Sequence, residues 1–133
     1  MSNVDSNTTS HCPCGTGKEY ARCCQCYLNG QRQPDTAESL MRSRYTAYTQ
    51  DAESYLLRTW HISTRPQQLN LAQQPTLQWL GLKILSTQAG AAQDNTGIVD
   101  FIARFKDNGK TMSLHETSHF IKENGCWYYL HGH

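Results

Sequence analysis

Cys12, Cys14, Cys23, Cys24 and Cys26 crowd into one short stretch, CPCGTGKEYARCCQC, and Cys126 stands far from them. A disulfide framework spreads its cysteines along a secreted chain and staples distant segments. Here the thiols are near neighbours, and the first eleven residues, MSNVDSNTTSH, are polar and lack an apolar signal core. A bridge across C-x-C would also close a strained ring. The clustering therefore points to metal ligation. Zn²⁺ takes four thiolates tetrahedrally at ~2.3 Å. The segment has little apolar surface to bury, and a bound ion would supply roughly 10–16 kcal/mol in apparent terms to order it. Gly15 and Gly17 permit tight turns that aim backbone N–H groups at sulfur. Adjacent Cys23 and Cys24 reach one ion where the chain turns or enters a helix. Lys18 and Arg22 would offset the negative charge of a four-thiolate site. The favoured ligands are Cys12, Cys14, Cys23 and Cys24, with Cys26 as a spare or substitute. Tetrahedral S₄ suits iron as well as zinc, so the residues alone leave that choice open.

The remainder has enough apolar sequence for an ordinary core. Of 133 residues, 38% are hydrophobic and 17% charged, which fits one domain plus a small appendage. Twelve basic and eleven acidic side chains leave a formal charge of +1, which argues against a nucleic-acid partner held by bulk electrostatics. No apolar run approaches the ~20 residues that span a bilayer, so the expectation is a soluble, cytoplasmic protein without a membrane span.

Three parts follow one another: a disordered arm over 1–11, a cysteine module over 12–30, and an α+β domain over 31–133. Asp35, with Glu38 three residues on, is the expected cap of a first helix whose apolar stripe is Ala37, Met41, Tyr45 and Tyr48. Asp51 is the expected cap of a second helix, with Ala52, Tyr55, Leu56, Thr59 and Trp60 facing inward. Pro66 opens a short third helix through Leu69 and Ala72, closed before Pro75. Then the period becomes two. Leu80, Leu82 and Ile84 alternate, as do Val99, Phe101, Ala103 and Phe105. Met112, Leu114, Ser118 and Phe120 share one side of a third run with Glu116, and Trp127 to Leu130 form a fourth. Turn signals at 94–97, Asp107-Asn108-Gly109 and Glu123-Asn124-Gly125 separate the runs. Helices first and hairpin-linked strands second define helices packed on one face of a curved antiparallel sheet. Cys126, at a strand start, is expected to be a small buried apolar residue.

At this point CPCGTGKEYARCC, residues 12–24, resembles the SEC-C motif, the zinc module first noted at the carboxy terminus of the translocase motor SecA. LMRSRYTAY at 40–48, TWH at 59–61, ARF at 103–105 and NGCWYYLHG at 124–132 extend the resemblance to the YchJ-like proteins of bacteria. The resemblance implies zinc at Cys12, Cys14, Cys23 and Cys24, and a SEC-C zinc knuckle followed by an NTF2-like α+β cone. It implies no particular activity. The residue after the cysteine pair, usually Gly in the family, is Gln25 here, followed by Cys26.

His115-Glu116-Thr117-Ser118-His119 fits the H-E-x-x-H pattern of zinc proteases. That chemistry needs a helix, and the surrounding Thr111, Thr117, Phe120 and Ile121 favour a strand. Four strand residues span roughly 13 Å, too far for both imidazoles to reach one ion. Two functions then compete. The leading expectation is a partner-binding or adaptor protein built on a structural Cys₄ module, because a complete thiolate set keeps no coordination position open. In SecA the module binds partners, and the resemblance suggests a protein partner here as well. The alternative is a small-molecule-binding protein or enzyme using the cone pocket. Its residues would be Glu116 as base or anchor, Arg44 as its ion partner and anion site, and Trp60 and His61 as lining. Nucleic-acid binding through Lys18, Arg22, Arg32, Arg42 and Arg44 is the weakest reading, and no residue is assigned a catalytic role.

Overall fold

The computed structural model describes residues 11–71 and 77–133, so the expected disordered arm, apart from His11, lies outside the described residues. In chain order come a 3₁₀ turn (Tyr20–Arg22), a short helix α1 (Gln25–Leu28), a long helix α2 (Ala37–Thr49) and helix α3 (Glu53–Arg58). Four strands follow: β1 (Leu77–Ala89), β2 (Thr96–Asp107), β3 (Lys110–Glu123) and β4 (Cys126–Gly132). They pair antiparallel in the order β1-β2-β3-β4, the meander that the turn signals imply. The two Asn-Gly turns have positive φ at both central residues, 58° and 83° at Asn108-Gly109 and 52° and 80° at Asn124-Gly125. That backbone matches the twist of the strands it joins.

Local chemistry moves several boundaries. Thr36, not Asp35, caps α2: its extended backbone lets Oγ1 accept the N–H of Ser39 at 3.0 Å. Asp51 does not cap α3, because it sits in the left-handed region at φ 54°, and Ala52 takes the cap position. Residues 66–70 form no helix. The Glu53 carboxylate instead collects the N–H groups of Leu69 and Leu71 at 3.0 and 3.1 Å and fixes the loop that carries them against the start of α3. Ala72, at the end of the expected third helix, lies outside the described residues.

The concave face of the sheet receives α2. Ala37, Leu40, Met41 and Tyr45 pack on Val99, Phe101, Ala103, Phe120 and Trp127 in one buried cluster. Irregularities between Trp79 and Gly81 and between Ile84 and Ser86 break the simple alternation of β1. Trp79, Leu82 and Ile84 therefore meet the core, while Leu80 turns outward and is 46% exposed. Cys126 is half-buried rather than buried. The start of α2 sits on the β1–β2 hairpin. A Cβ built on Gly97 would lie 2.6 Å from the Cα of Gly90 and 2.9 Å from the Cβ of Ala37. The segment after α3 runs along β4, with Tyr129 N–H donating to Thr59 O and His61 N–H to Tyr129 O, both at 2.8 Å. This covers an edge that would otherwise present free backbone groups. Among the described residues no helix is long and apolar enough to cross a membrane.

Candidate metal centre and cone pocket

The cysteine module folds through its backbone. His11 pairs with Glu19, and Cys12 N–H donates to Lys18 O at 2.8 Å, which closes the loop that carries Cys12 and Cys14. Gly15 has φ 88°, and a Cβ there would stand 3.0 Å from the carbonyl of Leu82, so the loop lies directly on β1. The 3₁₀ turn ends at Cys23, and Cys24 starts α1. The non-helical backbone at Cys23, φ −129° and ψ −109°, breaks the chain direction there, and both adjacent thiols reach the same cluster.

Four sulfurs result, with all of their atoms within 4.8 Å of one another. Cys14 and Cys23 are 3.6 Å apart and Cys23 and Cys24 4.0 Å. Bonds of ~2.3 Å to one tetrahedral ion would place sulfurs about 3.8 Å apart, so the donor set fits such an ion. Cys12, Cys14 and Cys24 are buried. Cys26 stands outside the group and donates its thiol to Cys23 O at 2.9 Å. As bare thiols the cluster divides its protons unevenly. Hydrogen bonds from Cys14 and Cys24 pull Cys12 down, whereas Cys12 pushes Cys14 up to about 11, and Cys12 and Cys14 push Cys24 up. The cluster thus resists carrying several negative charges until a cation joins it.

The module is fastened to α2. Arg42 donates to Cys14 O at 2.6 Å, Cys12 Sγ lies 3.7 Å from Thr46 Oγ1, and Tyr20 donates to Gln50 Oε1 at 3.2 Å. Arg22, expected to offset thiolate charge, instead pairs with Glu19 at 3.4 Å on the surface.

On the other side of α2 lies a cavity of about 230 Å³ between helix and sheet. Arg44, Trp60 and Glu116 line it, together with Tyr48, Trp79 and Tyr129. Arg44 is 3% exposed. Its Nη1 donates to Leu56 O at 2.8 Å and to Thr59 Oγ1 at 2.7 Å, and its guanidinium lies 5.0 Å from the Trp60 ring and 4.6 Å from that of Tyr129. Burial pushes its pKa down. The expected Arg44–Glu116 ion pair does not form. Glu116 Oε2 accepts from Ser118 at 2.7 Å and from Tyr129 at 3.2 Å, so two hydroxyls solvate it in place of the guanidinium. Among the described residues Arg44 has no carboxylate within ion-pair distance. Gly132 makes room for the Glu116 carboxylate, since a Cβ there would stand 2.0 Å from Glu116 Oε2. Burial, then the neighbouring Glu116, raises the pKa of Tyr129.

His61 is not part of the lining. Its ring packs edge-on against Tyr128, its Nδ1 lies 2.7 Å from Ser63 Oγ, and its Nε2 lies 3.0 Å from Glu123 Oε1 without the alignment of a hydrogen bond. The H-E-x-x-H residues lie in β3, where alternation sends Glu116 inward and both histidines outward. His115 there meets Asp100 at 2.8 Å.

Sequence reasoning does not find Ser118, Thr59 and Tyr129 as polar partners in the cone, or Arg42 as the clamp on the module. Ser118 carries a signal, its spacing of two from Glu116 in a strand. Tyr129 requires the β3–β4 register, and Arg42 requires the docking of one module on another. Of the five basic residues considered for nucleic acid, Arg42 and Arg44 are committed to internal contacts.

The family model of the YchJ middle NTF2-like domain matches residues 36–132, and the SEC-C motif matches residues 10–25. A UPF0225 protein of Chromobacterium violaceum is 49% identical over 123 residues, covering 91% of this chain and 90% of that protein. One from Streptomyces coelicolor is 46% identical over 124 residues, covering 93% and 95%. The solution structure of a SEC-C motif containing protein from Rhodopseudomonas palustris superposes with a TM-score of 0.82 at 36% identity, covering 92% of this chain and 96% of that one. A crystal structure of another from Psychrobacter arcticus gives a TM-score of 0.75 at 28% identity, covering 93% and 82%.

Proposed function

The chain belongs to the YchJ-like family, which joins a SEC-C motif to an NTF2-like domain, and we propose that it is a zinc-stapled binding protein whose cone takes a small anionic ligand. Cys12, Cys14, Cys23 and Cys24 hold Zn²⁺ as a structural ion. Four thiolates fill its coordination shell and keep no place for water, so the ion supplies folding energy to the module and no hydrolytic chemistry. One observation carries the binding role: among the described residues Arg44 is a buried cation without a carboxylate partner, facing a cavity walled by Trp60, Trp79 and Tyr129. A buried charge is costly until it is paired. A flat or aromatic acid with a hydroxyl group would pair with Arg44 through its carboxylate, lie against the rings, and donate the hydroxyl to Glu116.

Elemental analysis of reduced, freshly purified protein tests the first half. One zinc per chain that survives dialysis against a weak chelator is expected, and that tightly held ion should be lost when the four cysteines become serine. Native mass spectrometry of the same protein, followed by titration with small aromatic acids, tests the second. Binding that survives Arg44→Met would end the pocket reading.

The adaptor role rests on a different feature. Docking on α2 leaves Gly15 to Lys18 and Arg22 exposed, and this rim is the face a protein partner would take. Pull-downs that return the same partners from the wild type and from a Lys18→Glu, Arg22→Glu variant would remove it.

A further inference from the structure

β3 and β4 bring three imidazoles together on the outer face of the sheet, opposite the side where Glu116 and Phe120 point. His119 and His131 are direct cross-strand partners, and their rings stack with centroids 4.6 Å apart. His133 follows two residues on, and two hydrogen bonds of 2.7 and 3.0 Å clamp its backbone to Thr117. Its ring lies 5.2 Å from that of His119. One nitrogen from each ring falls within 4.8 Å of the other two. His119 Nε2 is buried and finds no hydrogen-bond partner among the described residues. A buried ring nitrogen left unpaired in this way calls for something that completes it.

We propose that His119, His131 and His133 form a second metal site, chemically unlike the thiolate group, for a late first-row divalent ion: zinc, copper(II) or nickel(II). Imidazole suits these ions. The ladder fixes the three backbones, and the rings supply the adjustment. Bonds of ~2.0–2.1 Å require nitrogens about 3.3 Å apart, so the stacked planes turn and close by at most roughly 1.5 Å on binding. His131 and His133 are exposed and have room to do so. His115 shares the face but is engaged by Asp100, so it stays out of the site. Three nitrogen ligands leave a fourth position open to water or an acidic group, which the closed thiolate set does not.

The test uses the full chain with its module zinc in place. Calorimetric titration with Ni²⁺ should show one ion bound per chain while the zinc content stays constant. The His131→Ala, His133→Ala double variant alters exposed residues. Because loss of outer-shell partners alone costs 10–100-fold, loss of two ligands should weaken binding by about 100-fold or more. His115→Ala should leave it unchanged. A second readout is the imidazole ¹⁵N shift of His119 under titration with diamagnetic Zn²⁺, which should move and saturate at one added equivalent. No Ni²⁺ uptake by the wild type, or equal affinity in the double variant, overturns the proposal.

Discussion

Arg42 donates from Nη1 to the carbonyl oxygen of Cys14 at 2.6 Å while its Nε holds Glu38 at 2.8 Å. Helix α2 thus reaches into the cysteine loop beside a member of the four-cysteine cluster. A hydrogen bond from a charged donor is worth about 1.5–3 kcal/mol, so Arg42→Ala should weaken docking by that amount. Arg42→Lys should recover little, because a point charge cannot serve both acceptors as a planar fork does. The measurements are the thermal midpoint of the zinc-loaded protein and the rate at which a chelator removes the ion. The variant should melt lower and lose zinc faster. Wild-type values for both would show the contact to be idle.

Chelation of the proposed Zn²⁺ should unfold the module and leave the cone intact. Cys12, Cys14 and Cys24 form their own buried cluster with Tyr20 and Leu28, whereas the sheet core is built from Val99, Phe101, Phe120 and Trp127. Amide exchange before and after chelation should show protection lost over residues 11–30 and kept in β2 and β3. Simultaneous loss in the sheet would mean that the two parts fold as one unit.

Gly97→Ala should be more damaging than a one-methyl change on a surface strand. The new Cβ would meet the Cα of Gly90 at 2.6 Å, a backbone atom that cannot swing aside. Overpacking of this kind costs about 1–3 kcal/mol. Urea denaturation of Gly97→Ala should give a lower midpoint at unchanged slope, and an unaltered midpoint would mean that the hairpin yields easily.

Much of this was legible in the sequence because it depends on short-range rules. The Asn108-Gly109 and Asn124-Gly125 turns fixed the β2–β3 and β3–β4 hairpins, and the period of two placed Val99, Phe101 and Ala103 on the core face. What escaped depends on neighbours distant in the chain. Leu80 fits the alternation by itself, but a bulge against β2 turns it outward. Asp35 is as good a cap as Thr36 until the extended backbone at Thr36 decides between them. Glu116 reads as half of an ion pair with Arg44, yet Ser118 and Tyr129 reach it first. His119, His131 and His133 look unrelated until β3 and β4 lie side by side.

Arg44 separates charge from volume in the cone. Arg44→Met keeps most of the bulk; leaving Leu56 O and Thr59 Oγ1 without their donor costs about 1–3 kcal/mol, part of which the removal of an unpaired buried charge offsets. Arg44→Ala also opens space under Trp60 and Tyr129, and large-to-small changes at buried sites cost about 2–5 kcal/mol. Glu116→Gln should stay near wild type, because an amide oxygen still accepts from Ser118 and Tyr129. Urea midpoints should therefore fall in the order Glu116→Gln, then Arg44→Met, then Arg44→Ala. Equal losses for the two Arg44 variants would mean that volume counts for nothing at this site.

Glu53 gives the loop held against the start of α3 a pH dependence whose sign follows from its contacts. The N–H of Leu69, then that of Leu71, holds its carboxyl below the usual 4.5. A group depressed in the folded state stabilises above its unfolded pKa and loses that contribution as pH falls through the folded value. The loop should therefore stay anchored at pH 5 and above and loosen in more acid solution. In NMR titrations the amide shifts of Leu69 and Leu71 should move together with the Glu53 carboxyl, with a midpoint under 4.5. Glu53→Gln keeps one acceptor oxygen and removes the titration, so its two amides should show no such transition. A shared midpoint at or above 4.5 in the wild type would mean that the carboxylate does not hold the loop.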